Sequence, residues 1–200
     1  MIPSALPAPD PLACALVIVA AMSLAGLAHT GWLRSRYCAP FRGPIDGGCQ
    51  WRGARIFGDH KTFAGFIAIV PAAGVAFAVF GVMRASAPAW LDAGLWQLPP
   101  EQLFALGCWA GFWFMAGELP NSFLKRRMGI APGALPRAGA QRLLCLALDR
   151  VDSVLALLLA LAMVVPMQWT TWIWVLALGP AVHLAFSALL FVAGVKARAA

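Results

Sequence analysis

Apolar residues run along this chain in long blocks separated by polar stretches rich in glycine and proline, and the block lengths predict its elements. Leu12–Leu33 carries no charge, and about 20 helical residues suffice to cross a hydrocarbon core. Phe63–Met83 is a second such run, in which Gly65, Ala72, Ala73, Gly74 and Ala78 offer a small-residue face for close helix packing. The third, 103–118, has only 15 apolar residues, Leu103–Gly117, before Glu118. Pro120 just beyond it has no N–H to give, so a break or kink is expected there. A helix restarting at Pro120 would aim its positive end at a bound anion. Runs at 143–165 and 172–195 follow, the last with a kink expected at Gly179-Pro180. The pattern predicts one all-α domain over 1–200, a polytopic integral membrane protein with about five transmembrane helices. No internal repeat is evident.

Composition agrees. The chain is 62% hydrophobic and 12% charged with a mean hydropathy of +0.79, whereas soluble domains carry about a quarter charged residues. The net charge of +7 would suit nucleic acid, but the cations are placed otherwise. Apart from Arg84, every Lys and Arg falls in 34–62, in 125–150 or in the tail at Lys196 and Arg198. Five spans put all of these on one face. The positive-inside rule makes that face cytoplasmic, with the N-terminus outside, the C-terminus in the cytoplasm and no nucleic-acid partner. The first eleven residues hold no Lys or Arg, so the first run reads as a retained anchor rather than a cleaved signal. Five scattered cysteines form no C-x-x-C pair and predict neither a disulfide framework nor a zinc site. Trp32, Trp90 and Trp96, with His29, read as interfacial residues, and His183 as a packing residue.

The candidate chemistry lies at the polar edges of these runs. Glu118, Asp149 and Asp152 sit where a charge costs a few kcal/mol to insert, which marks them as functional candidates. Asp149, Asp152 and Ser153 are spaced i, i+3, i+4 and share a helical face. Two carboxylates so placed repel unless a cation lies between them. On the preceding segment Asn121, Lys125 and Met128 would share a face, with Ser122 and Arg126 beside it and Arg127 following. Carboxylates and cations at one membrane face suit a divalent cation and a phosphorylated substrate. The loop Arg34–Thr62 is too long to be a passive connector. Its glycines alternate with Asp46, Arg55, Asp59, His60, Lys61 and Thr62, so that backbone N–H groups and side chains can approach an anion together. Gly58-x-x-Lys61-Thr62 has neither the spacing nor the preceding strand of a Walker phosphate loop.

These residues carry a family resemblance. Ser122-x-x-Lys125-Arg126 followed by Asp149-Arg150-Val151-Asp152-Ser153 resembles the signature of the phosphatidate cytidylyltransferases. The five-span layout resembles the smaller, related CDP-archaeol synthase family. So do Pro44-x-Asp46-x-Gly48, the stretch Gly53 to Thr62 with Gly65, and Ser122–Arg127, the whole covering about residues 12–195. The resemblance implies that a lipid phosphate monoester attacks the α-phosphorus of CTP and releases pyrophosphate, leaving a CDP-activated lipid. It implies catalytic roles for Lys125, Arg126, Asp149 and Asp152, with Mg²⁺ held by Glu118, Asp149 and Asp152. It implies nucleotide or lipid-phosphate contacts from Asp46, Arg55, Asp59, Lys61, Thr62, Asn121, Ser122 and Arg127. Glu118 stands where the family usually has Asp. The Lys-Asp and Gly-rich elements of the larger diacylglycerol enzymes are absent between Ile130 and Asp149.

Two other readings compete. A CDP-alcohol phosphatidyltransferase needs Ala-Arg at a fixed distance after Asp-Gly, and Asp46-Gly47 is followed instead by Gly48-Cys49-Gln50-Trp51. A non-catalytic binder of anionic headgroups explains the cations but not three carboxylates beside them. The lipid, diacyl or ether-isoprenoid, is left open, and the small-residue second span leaves room for a homodimer.

Overall fold

The computed structural model describes residues 6–132, 134 and 139–192, so Lys196, Arg198 and the end of the fifth run lie outside the described residues, as does the side chain of His183. The fold is predominantly helical. Helix α1 (Pro11–Arg34) starts where the Asp10 carboxylate accepts from the Ala13 N–H at 2.9 Å and Pro11 takes the first turn. The long loop then folds on itself through a 3₁₀ turn (Arg36–Phe41) and a two-stranded antiparallel hairpin, β1 (Gln50–Trp51) and β2 (Ala54–Arg55). Arg52 and Gly53 between the strands both have positive φ, 52° and 74°. That is the turn which matches strand twist, and Arg52 is strained in it. Helix α2 (Phe63–Met83) coincides with the expected second run. The connector holds a short helix, α3 (Ala89–Gly94), which packs on α1.

Helix α4 (Pro100–Arg127) corrects the expected break at Pro120. It is one helix of 28 residues, about 42 Å long at 1.5 Å per residue. Proline inside a helix removes one hydrogen bond and crowds one carbonyl, a local cost of about 3 kcal/mol. Packing on both sides holds α4 together. Gly107 lies so close to α2 that an added Cβ would come within 2.5 Å of the Ala73 carbonyl, and Gly117 lies against α5, 2.9 Å from the Asp152 carbonyl by the same measure. No helix N-terminus therefore faces the site at Pro120. The C-terminal end does, and Lys125, Arg126 and Arg127 in its last turn complement its negative dipole.

Helices α5 (Ala140–Ala162) and α6 (Trp169–Val192) complete a ring in which α1 packs on α2, α2 on α4, α4 on α5, α5 on α6 and α6 on α1. Val17, Ile18, Phe77, Leu103, Leu157, Leu161 and Val175 meet in its centre. Trp96 is enclosed there rather than interfacial, its indole N–H donating to the Pro166 carbonyl at 2.8 Å. Helices α1 and α2 are long and apolar enough to cross a membrane, and 169–182 of α6 is a shorter apolar stretch. The five cysteines are free.

Candidate active site

The hub of the long loop is Asp46. Its carboxylate accepts from Arg55 Nε and Nη2, and from the backbone N–H groups of Gly48, Phe57 and Gly58 at 2.9–3.2 Å. Its side chain has no exposed surface. The Arg55 guanidinium, with those backbone donors, holds the carboxyl well below the usual carboxylate range against the opposing effect of burial. Asp46 therefore shapes the loop from within. Arg55 also pairs with the exposed Asp59 at 2.6 Å. Thr62 precedes α2 and bridges to Pro44, which closes the loop at its base.

Arg127 fastens this loop to α4. Its guanidinium donates to the carbonyls of Trp51, Ala54 and Arg55 and lies over the rings of Trp51 and Phe123, which are themselves stacked at 5.4 Å. Its terminal nitrogens are thus engaged with backbone oxygen. Gly58, at φ +96°, comes down beside the Arg126 stem: a Cβ there would lie 3.8 Å from Arg126 Cδ.

The docked loop meets α4 and α5 in one continuous polar chain. Lys61 pairs with Glu118. The other Glu118 oxygen is 3.2 Å from the Ser153 hydroxyl, which also lies 3.3 Å from Asp152. The Asn121 amide donates to Asp152 at 2.8 Å and to Asp149 at 2.7 Å, and Lys125 closes the chain on Asp149. The expected helical faces of α4 and α5 account for this meeting, since residues three and four apart project together. Two carboxylates that would repel are bridged by one amide and matched by one ammonium. Arg126 is buried at 8% exposure, donates through Nε to the Ser122 carbonyl at 3.5 Å, and has one terminal nitrogen out of solvent with no partner among the described residues. A buried guanidinium nitrogen without an acceptor is costly, and an anionic oxygen would complete it. Ser122 is buried below it.

Asp149 and Asp152 present neighbouring carboxylates held by one amide, with oxygen left over for a cation, which suits Mg²⁺ bound by one or two carboxylates plus substrate phosphates. Glu118 stands apart. Among the described residues no three His, Cys, Asp or Glu side chains gather closely enough to hold a metal together; the Glu118 carboxylate is engaged by Lys61 and reaches Asp152 only through the Ser153 hydroxyl. Sequence reasoning missed two contacts, Lys61 with Glu118 and Arg127 with the hairpin. The unusual run of three cations after Phe123 was the only available signal for the second.

The CarS-like family, described as CDP-archaeol synthase, matches over residues 41–198. A CDP-archaeol synthase of Halobacterium salinarum is 37% identical over 160 residues, 76% of this chain and 81% of that protein. One from Halorubrum lacusprofundi is 44% identical over 91 residues, 46% of this chain and 48% of that protein. One from Methanosphaerula palustris is 30% identical over 167 residues, 76% of this chain and 87% of that protein. A solved structure of an intramembrane enzyme for archaeal membrane lipids biosynthesis shares the fold, with a TM-score of 0.57 and 24% identity over 86% of this chain and 91% of that one.

Proposed function

The chain belongs to the CDP-archaeol synthase family, and from that premise we propose that it is a CTP-dependent cytidylyltransferase acting on a membrane lipid phosphate. A phosphate oxygen of the lipid attacks the α-phosphorus of CTP, the bond to the β-phosphate oxygen breaks, and pyrophosphate leaves. Such a transfer needs positioning and charge neutralisation more than covalent help from the protein. The observation that carries the reading is the pair Asp149 and Asp152, bridged by Asn121 and flanked by Lys125 and by the buried Arg126, whose Nη1 has no partner among the described residues.

Asp149 and Asp152 would hold Mg²⁺, which when bound supplies positive charge to the phosphate oxygens. Glu118 supports them through Ser153 and orients Lys61. Arg126 offers a phosphate oxygen a guanidinium N–H, and Lys125 supplies a second positive charge. Asp46, Arg55 and Arg127 keep the loop on the site, while Asp59 at its rim and Thr62 at its base would meet the nucleotide. Five spans, the N-terminus outside and the C-terminus in the cytoplasm put this site where CTP is found. Family membership favours the ether-isoprenoid phosphate over the diacyl one, and the small-residue face of α2 leaves a homodimer open.

The test is purified protein in detergent with Mg²⁺, each of CTP, ATP, GTP and UTP in turn, and one ether-isoprenoid and one diacyl phosphate. Pyrophosphate release with CTP and a lipid product heavier by one CMP is expected. Release with another nucleotide in preference to CTP overturns the reading.

A further inference from the structure

We infer that the segment from Arg34 to Arg42 is a surface for an anionic membrane phospholipid that is not the substrate. Arg34, Arg36 and Arg42 would hold its phosphodiester headgroup beside the rings of Tyr37 and Phe41. None of these residues takes part in the polar chain of the candidate active site, and the inference does not rest on the cytidylyltransferase reading. The segment folds back on the end of its own helix. Arg42 donates through Nη2 to the Leu33 carbonyl at 3.1 Å, and the Phe41 ring lies 6.1 Å from that of Trp32. Cys38 has no exposed surface and pins the 3₁₀ turn from below, while Arg36, Tyr37, Phe41 and Arg42 are exposed. Three guanidinium groups are thereby gathered around the end of α1.

Charge identifies the partner. No Asp or Glu occurs from Pro11 to Ile45. Further along the chain, Arg55 pairs with Asp46 and Asp59, Lys61 with Glu118 and Lys125 with Asp149, whereas among the described residues Arg34, Arg36 and Arg42 have no carboxylate partner. Like charges brought together are relieved by an anion between them. Arg36 bonds the Tyr37 hydroxyl at 3.1 Å and Arg42 the Leu33 carbonyl, each through one nitrogen, so most of the five N–H donors on either guanidinium are left for phosphate oxygen. The rings separate a lipid from a soluble anion. Tyr37 is 63% exposed and Phe41 38%. Free phosphate would satisfy the arginines and leave both rings in water; a headgroup brings its glycerol and first methylenes against them. Position agrees, since α1 is long and apolar enough to cross a membrane, and a chain leaving the end of such a helix passes through the headgroup layer.

The experiment titrates the full chain, purified in detergent, with phosphatidylglycerol, an anionic phosphodiester lipid that has no phosphate monoester to react, and with zwitterionic phosphatidylcholine. Bound lipid is counted by native mass spectrometry, and thermal unfolding checks the fold. The parent is expected to bind phosphatidylglycerol at least about tenfold more tightly than phosphatidylcholine, the worth of two or three arginines near an anionic headgroup. Each arginine removed is expected to raise the Kd for phosphatidylglycerol about fivefold, so Arg34→Gln with Arg36→Gln raises it about 25-fold and leaves phosphatidylcholine unchanged. Arg36→Gln alone, which gives up only the contact with Tyr37, shows the fivefold step even if the double variant folds poorly. Arg142→Gln removes an exposed charge from α5 instead and is expected to leave the Kd within about twofold. Equal binding of the two lipids by the parent overturns the inference. So does an equal loss in Arg142→Gln, since overall charge would then explain the binding, or displacement of the lipid by an equal concentration of inorganic phosphate. A parent that binds phosphatidylglycerol as expected but makes no CDP-lipid defeats the cytidylyltransferase reading and leaves this surface in place.

Discussion

Replacing Asn121 with leucine removes the one donor that bridges Asp149 and Asp152 while keeping the side chain's size. The amide nitrogen lies 2.7 and 2.8 Å from the two carboxylate oxygens, so those oxygens are at most about 5.5 Å apart. Two full charges at that separation repel by about 3 kcal/mol at an effective dielectric constant of 20. The lost hydrogen bonds lead to a similar figure. Bonds to charged groups are worth about 1.5–3 kcal/mol each, but the Asp149 side chain is 35% exposed, and water replaces much of its share. A net loss of about 2 kcal/mol follows, or about 30-fold in kcat/KM. Initial rates of CDP-lipid formation at saturating Mg²⁺ measure it, with thermal unfolding in detergent as the control for folding. The expected variant unfolds within a few degrees of the parent and is slowed mainly in kcat. A kcat/KM within twofold of the parent would refute the idea that this bridge organises the site.

The other expectations concern the framework. Asp46→Asn is expected to destabilise the protein by about 3 kcal/mol at neutral pH, because it leaves Arg55 and three backbone donors half satisfied. The folded Asp46 carboxyl titrates below its unfolded value, so its stabilisation is full above about pH 4 and declines as the medium becomes more acid. The melting difference between parent and variant should therefore be flat from pH 8 to about 5 and shrink below about 4; a difference unchanged at pH 3 contradicts this assignment. Gly117→Ala gains helix propensity of about 1 kcal/mol but drives a methyl group into Ala156 and the α5 backbone, an overpacking cost of about 1–3 kcal/mol. Activity should fall more than stability, and a variant faster than the parent would show that α4 and α5 are not held at this contact. Lys61→Met and Glu118→Gln, alone and together, should show a coupling of about 1–2 kcal/mol in a double-mutant cycle on kcat/KM, and strict additivity would separate the loop from α4.

The helical framework was largely legible because it is written in local periodicity. The second run matches α2 end to end, and the spacings that put Asn121 with Lys125 and Asp149 with Asp152 on shared faces are what let them meet. Contacts distant in sequence were not legible. Lys61 and Glu118 are 57 residues apart, and Arg127 reaches carbonyls more than 70 residues away; no pattern of period 3.6 encodes either. Pro120 misled for a related reason. Its local cost is real, but packing of Gly107 and Gly117 against neighbouring helices outweighs it, and that packing is a tertiary property. Asp46 had the chemistry of a ligand-binding residue in sequence, and only the fold of its loop reveals that its hydrogen-bonding capacity is satisfied within the loop.

The most direct measurement is the mass of the lipid formed from CTP and an ether-isoprenoid phosphate by the parent enzyme and by Asp149→Asn and Asp152→Asn. The account predicts a CDP-lipid from the parent and turnover lower by orders of magnitude in both variants, each still folded. Turnover retained in both variants, or no CDP-lipid from a well-folded parent, would contradict it.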